Sequence, residues 1–560
     1  MATIVSSAAP PRPAESDRPT GKQPQRRPGS LTPRTERWLT ILALALLMAG
    51  SLVAHDLHRM LTQPLWRDEN WVAVTLRAPL DRIFSLTSTT PILFTALLRV
   101  TPHWSPSSLR LLPLAFTVAA VPLAWYLGRE IDRNGWLTRT VIAAGVAFAP
   151  AMLIRHDLKQ YTAEAFDAMI VLWLVAQLEA QWSRRQLVVL GVVLGASTLL
   201  SNAAIFLGPA VLASLALVLC IRRDVRRLVE LAVVGAPSIV FNFVVFVTVD
   251  ERADTPSLRA YWANLYVPTS HGVASALHFI YVRAVLELQG VGLGPSLVVL
   301  ALVLAGMVTL ARTGFPTLAL VVPATAVEQI AAASVQRYPL WDPRISTWYT
   351  VMLTVLALIG LTGIARFACS FLASFGSFRS SERHAGVFLG LAAALAVPLL
   401  IGWLAGPYVH AARVAIDTTT PLEDVQGQAR TILAERRPGD VIVANVDAGF
   451  GLGVYWPAQP EFVFRDARLD TFRIAYPPAD RVVVAVTISI AAEVQAVRTA
   501  VAMAAATPDG RVWVVLSHWH AHERATMLAT LRNYGTLTTP AGQHGLQAVE
   551  LLTLQRPYGP

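Results

Sequence analysis

Between the basic pairs Arg184-Arg185 and Arg222-Arg223, residues 187–221 pass without one charged side chain, a run of 35 residues. As a single helix at ~1.5 Å per residue it would far overshoot the ~30 Å hydrocarbon core of a bilayer. Ser201-Asn202 and Gly208-Pro209 interrupt it near the middle. A hairpin of two membrane-crossing helices, with both basic ends on the cytoplasmic side, satisfies length and charge together.

Runs of this kind recur along the first three quarters of the chain. The first, Trp38 to Ala54, follows a long polar segment and has no small-x-small cleavage site after it, so it reads as an uncleaved span. Further spans are predicted at 109–128, 136–154, 163–181, 187–203, 207–221, 228–248, 292–311, 315–333, 345–365 and 385–406. The expected fold class is an α-helical polytopic membrane protein with about eleven transmembrane helices. Composition agrees: charged residues make up 15% of the chain, against about 25% in soluble proteins, and hydrophobic residues 54%. That balance excludes a disordered chain and an ordinary cytosolic enzyme. Cys220 and Cys369 stand far apart without CxxC spacing, which excludes a disulfide framework or a cysteine metal site.

Residues 1–37, rich in Pro, Arg and Ser, read as a disordered cytoplasmic tail near anionic headgroups. From about 411 onward charge returns at soluble density and apolar runs shorten to strand length, at Val441–Val446, Arg481–Ile488, Arg511–Ser517 and Leu546–Leu554. Helical stretches at 490–506 and 520–534 lie between them. Thr420, Pro421 and Glu423 have the spacing of a helix start, and Pro438-Gly439-Asp440 turns the chain into the first strand. Residues 38–410 thus read as the membrane domain and 411–560 as a small extracytoplasmic α/β domain.

With a cytoplasmic N-terminus, Arg184, Arg185, Arg222, Arg223, Arg312 and Arg366 fall on the cytoplasmic side, as the positive-inside rule requires. Yet the outward loops keep Arg67, Arg155, Lys159, Arg283, Arg337 and Arg344. Lys159 is the one lysine besides Lys22, among 46 basic residues. Cations retained on the translocated side point to an anionic substrate.

Three outward clusters hold the chemistry. After the first span comes Trp66-Arg67-Asp68-Glu69-Asn70, whose adjacent carboxylates suit a general base or a divalent cation, although two neighbouring acids alone also fit a solvated loop. The segment 90–99 behind it is too short to span and fits a helix along the membrane surface. The second cluster is Arg155-His156-Asp157-Leu158-Lys159-Gln160-Tyr161, followed by Glu164 and Asp167 on one helix face. The third is Glu328-Gln329 with Gln336-Arg337-Tyr338-Pro339-Leu340-Trp341-Asp342-Pro343-Arg344, whose arginines can grip a phosphate or hold headgroups.

The order of these features resembles the GT-C superfamily of integral-membrane glycosyltransferases, in the branch of protein O-mannosyltransferases and bacterial aminoarabinose-to-lipid A transferases. Asp68-Glu69 is similar to that family's acidic motif in the first external loop. Ser88 to Phe94, followed by Leu109-Arg110-Leu111-Leu112-Pro113, is similar to its next motif. Leu158-Lys159-Gln160-Tyr161 resembles a segment of the bacterial members, and Gln336-Arg337-Tyr338 resembles the Arg-Tyr before a late span. The resemblance covers roughly 38–365. It implies a polyprenyl-phosphate-linked sugar donor, a lipid, glycan or protein acceptor on the outer face, and inverting transfer. On that reading Asp68 is the base, with Glu69 orienting the acceptor or a metal. Lys159, Arg155 and Arg337 hold the phosphate, and His156, Tyr161, Tyr338 and Arg344 complete the substrate-binding set. A flippase or a polysaccharide ligase is the competing function.

Two weaker signals sit in the last domain. His518-Trp519-His520-Ala521-His522-Glu523 has alternating histidines but no distant ligand set, and reads as a solvated turn. Gly449-Phe450-Gly451-Leu452-Gly453 lacks dinucleotide-binding spacing and reads as a flexible loop. Nothing supports nucleic-acid binding.

Overall fold

In the computed structural model of the chain, the described residues are 33–82, 90–133, 135–155, 157–249, 256–375, 382–419, 423–466, 471–519, 523–540 and 549–555. The predicted tail therefore lies almost wholly outside them, as do His156, Thr420, Pro421, His520, Ala521 and His522.

The bundle begins with α1 (Pro33–Ala54), followed by the short helices α2 (Leu57–Thr62), α3 (Arg67–Val74) and α4 (Ile92–Val100). Long helices then alternate with tight turns: α5 (Leu111–Ile131), α6 (Trp136–Ala147), the one-turn α7 (Pro150–Leu153), α8 (Tyr161–Ala180), α9 (Arg184–Leu200), α10 (Ala204–Ile221) and α11 (Val225–Thr248). After α12 (Pro256–Tyr261) come α13 (Val273–Gly290), α14 (Ser296–Thr313), α15 (Pro316–Ser334), α16 (Thr347–Phe375) and α17 (Glu382–Thr419).

Every predicted span is realised as helix, and the hairpin breaks at Ser201-Asn202-Ala203, where α9 ends and α10 begins. Among the described residues nine helices are long and apolar enough to cross a membrane, two fewer than predicted. The missing two are α8, which carries Glu164, Asp167 and Glu179, and α9, which has 17 residues. Glu164 and Asp167 are buried: Ser197 Oγ of α9 donates to Asp167 Oδ1 at 2.6 Å, and the backbone N–H of Asn202 donates to Glu164 Oε1 at 3.2 Å. α13 was not predicted, because Arg283 and Glu287 interrupt its apolar pattern. Helix contacts tighten where side chains vanish. A Cβ on Gly306 of α14 would lie 2.0 Å from Leu356 O of α16, and one on Gly360 would lie 2.0 Å from Leu302 O. The two backbones touch, as small residues allow between membrane helices.

The last part is an α/β domain. Its order is α18 (Val425–Glu435), β1 (Val441–Ala444), α19 (Val446–Tyr455), β2 (Glu461–Asp466), β3 (Thr471–Ala475), β4 (Val482–Val484), α20 (Ile490–Ala505), β5 (Arg511–Val515), α21 (Glu523–Arg532), β6 (Gly535–Thr538) and β7 (Glu550–Leu554). The main sheet runs β4-β1-β5-β7-β6, with β4, β1 and β5 parallel and β7 and β6 antiparallel additions. β2 and β3 form a separate hairpin. The continuous apolar strings Val441–Ala444 and Val512–Val515 suit strands covered on both faces.

Two predictions about this domain are corrected. Its first helix starts at Val425, where the Asp424 side chain accepts from Gly427 N at 2.7 Å; Glu423 is occupied elsewhere. The glycine-rich segment 449–453 is the buried middle of α19 rather than a flexible loop. Its glycines permit contact on three sides: a Cβ would lie 2.7 Å from Val484 at Gly449, 2.7 Å from Val425 at Gly451 and 2.5 Å from Val74 at Gly453. Val74 belongs to α3, so this helix ties the domain to the first loop. The domain core accordingly includes Val74 and Ala78.

Candidate active site

α3 is set in place by its own second acid. Glu69 is fully buried; Arg110 Nε donates to its Oε1 at 2.6 Å, and Arg110 Nη2 donates to its Oε2. The backbone N–H groups of Leu158 and Trp66 donate to the same two oxygens at 2.7 and 3.1 Å. Arg110 also donates to the carbonyls of Met60, Gln63 and Pro64. One carboxylate thus gathers the first loop, the start of α5 and the loop before α8.

With Glu69 turned inward, Asp68 faces the other way and remains 18% exposed. Arg67 Nη1 lies 2.9 Å from its Oδ1 and Arg344 Nη1 3.9 Å from its Oδ2. Burial pushes the Asp68 carboxyl up, but the charges of Lys159, Arg67 and Arg344 outweigh it and hold the group below the ordinary carboxylate range. Lys159 is buried. Its ammonium sits 5.7 Å from the centre of the Trp71 ring, on which the Arg67 guanidinium also rests at 5.4 Å. Burial lowers the Lys159 pKa, with Asp68 and Asp157 opposing and Arg67 and Arg344 assisting.

The third loop contributes Arg344, which stacks 5.5 Å over Trp262 and donates to Tyr261 Oη at 3.1 Å. α13 fixes this loop: Arg283 Nε donates to Leu340 O at 3.0 Å, and Ser346 Oγ donates to Glu287 Oε2 at 2.9 Å. Arg155 lies 5.8 Å over the Tyr161 ring. Tyr338 packs edge-on against Phe206 at 4.7 Å, and burial raises its hydroxyl pKa. Arg337 is exposed on the turn after α15, so Arg344 is the arginine this loop sends to Asp68.

The α/β domain closes the remaining side. Asp447 Oδ1 accepts from Arg67 Nε at 2.7 Å, Glu423 Oε2 accepts from the Arg67 backbone N–H at 2.8 Å, and Leu65 N donates to Tyr455 Oη at 2.9 Å. His518 Nδ1 lies 2.6 Å from Glu423 Oε1. Among the described residues no three His, Cys, Asp or Glu side chains gather as a metal site. A divalent cation does not fit at Asp68, because Glu69 is closed by Arg110 and three cationic side chains already act on Asp68.

Arg110, Trp71 and Asp447 carry no site role in the sequence; Arg67 reads there only as one of the retained outward cations, and Glu423 as part of a helix start. Arg67 and Arg110 stood inside segments singled out for other residues. Asp447 follows a strand end by three positions, the one available signal that it points from the sheet edge.

Together the bundle, the inward-locked loop helix and the α/β domain make a polytopic helical membrane protein with a C-terminal α/β domain. Solved structures share this fold. ArnT from Cupriavidus metallidurans bound to undecaprenyl phosphate matches with a TM-score of 0.52 at 14% identity, over 94% of this chain and 99% of that one. The apo state of the same protein matches at 0.50 and 15%, over 92% and 98%. The Archaeoglobus fulgidus oligosaccharyltransferase with zinc and sulfate matches at 0.50 and 14%, over 90% and 72%. Against the apo form of that oligosaccharyltransferase, this chain spans 64% of the length. No family model and no curated protein matches the sequence. At these identities the likeness establishes the fold.

Proposed function

We propose that this chain is a membrane glycosyltransferase that moves a sugar from a polyprenyl-phosphate donor to an acceptor hydroxyl on the extracytoplasmic face, with inversion. The observation that carries this reading is Asp68, a part-exposed carboxylate set among Lys159, Arg67 and Arg344. Such a site offers a base beside a phosphate-sized zone of positive charge. The retained cations of the outward loops and the likeness to a structure that holds undecaprenyl phosphate support the same donor class.

In the proposed reaction the acceptor oxygen bonds to the anomeric carbon as the bond from that carbon to the phosphate oxygen breaks. The hydroxyl proton passes to an Asp68 oxygen, and the polyprenyl phosphate leaves with the bonding pair. Lys159 stabilises the growing phosphate charge as a compact ammonium, while Arg344 and Arg155 supply forked donors. Glu69 positions Asp68 through α3 instead of touching substrate, and Arg337 serves the outer rim. Membranes containing the chain, given labelled polyprenyl-phosphate sugar, should release polyprenyl phosphate. Translocation of the labelled lipid without release would point to a transporter instead.

A further inference from the structure

The parallel strands β4, β1 and β5 reverse direction of winding at β1, the place where doubly wound sheets open a ligand crevice beyond their carboxyl ends. Here that place is filled. Asn445 Nδ2 donates to Ser517 O at 2.8 Å, and its Oδ1 accepts from Ser517 N at 3.1 Å. Gln428 spans the same edge, with Nε2 donating to Leu516 O at 2.9 Å and Oε1 accepting from Leu516 N at 3.2 Å. The sheet edge sends out a carboxylate, Asp447, in the first turn of α19 and only 1% exposed. One of its oxygens takes Arg67 Nε at 2.7 Å, while Oδ2 is buried and has no hydrogen-bond partner among the described residues.

We infer that Asp447 is a positioning residue for the reaction proposed above, on which this inference rests: it draws the Arg67 guanidinium partly away from Asp68, leaving Asp68 a free lone pair for the acceptor hydroxyl. Arg67 sits between two carboxylates, its Nε on Asp447 and its Nη1 on Asp68. The negative charge of Asp447 also moderates the positive field that Asp68 feels. The α/β domain is therefore part of the active site, not only a cover for it.

The D447N variant of the full-length chain in membranes tests this. Without the anion, Arg67 closes on Asp68, so kcat falls about 10- to 100-fold at nearly unchanged donor KM, and the acid limb of the pH profile moves to lower pH. D447E keeps the charge and returns that limb to the wild-type position. R77A is the control for docking alone, because Arg77 holds the carbonyls of Gly453, Trp456 and Ala458 in the same interface without touching Asp68. It leaves the acid limb where it is. Wild-type kcat and pH profile in D447N, or equal behaviour of D447N and R77A, overturns the inference. Should the wild-type chain transfer no sugar from any polyprenyl-phosphate donor, the functional reading falls by itself. The geometric part, one Arg67 guanidinium shared between Asp447 and Asp68, is then decided by thermal unfolding at mildly acidic pH: additive Tm changes for D68N and D447N overturn it, and non-additive ones uphold it.

Discussion

Arg110 Nε stands 2.6 Å from Glu69 Oε1, joining two side chains that are 5% and 0% exposed. Breaking a buried pair by removing one member leaves an uncompensated charge, at about 3–5 kcal/mol. E69A and R110A should each lose that much stability in thermal or denaturant unfolding in detergent. R110K should not rescue, since an ammonium cannot fork across both carboxylate oxygens. A loss below about 1 kcal/mol in E69A would mean that the pair is not the anchor of α3.

The contact between α3 and α19 gives a covalent test. A Cβ on Gly453 would lie 3.6 Å from the Val74 Cβ, within the usual disulfide range of about 3.5–4.5 Å. V74C/G453C, with Cys220 and Cys369 replaced, should therefore form an intramolecular disulfide under mild oxidation, read as a shift after proteolysis between the two sites. G453A alone should destabilise by about 1–3 kcal/mol, because its methyl would meet the Val74 side chain.

These contacts also mark what the sequence could disclose. The spans announce themselves because lipid demands length and apolarity, and the strands of the last domain because burial on both faces demands unbroken Val and Ile. Asp68 and Lys159 were legible as charges kept where charge is costly. The buried anchoring of Glu69 was not, since adjacent acids look alike until a partner 41 residues later, Arg110, claims one of them. Nor was the helical state of the Gly449–Gly453 segment, whose glycines weaken helix propensity but allow close packing against Val74, Val425 and Val484. Arg337 was preferred to Arg344 because it sits in the motif, yet only the turn geometry of the loop decides which arginine reaches Asp68.

In the α/β domain, Glu493 is 2% exposed, and burial together with the neighbouring Glu523 raises its pKa above the ordinary value of 4.5. A carboxyl raised on folding favours the native state below that value, and the benefit is lost as pH climbs through the raised pKa. E493Q should therefore raise Tm at pH 8 and change it little at pH 5. Equal shifts at both pH values would remove the carboxyl repulsion from the account.

His518 has the opposite chemistry. Its hydrogen bond to Glu423 leads the causes that raise its pKa, against burial. The imidazolium then contributes stability that is complete below about 6.5, the unfolded histidine value, and fades as pH rises through the raised pKa. H518A should flatten the fall in Tm between mildly acidic and mildly alkaline pH, as followed by differential scanning fluorimetry.

Lys159 offers the sharpest check on the electrostatics of the site, because it is the foremost charge holding the Asp68 carboxyl down. With K159M the Asp68 pKa rises, so the acid limb of the transfer profile moves to higher pH, opposite to D447N. The native state also keeps less of the stability that an ionised, depressed carboxyl gives above its ordinary pKa of 3.8 and loses as pH falls through the folded value. Loss of the ammonium from the leaving phosphate should lower kcat by about 10²-fold or more. K159R should restore only part of it, since a planar fork cannot occupy the compact place beside Trp71. D68N should lower kcat by about 10²- to 10⁴-fold and abolish the acid limb in every background. If K159M and D447N moved that limb the same way, no single carboxylate between them could be the titrating base.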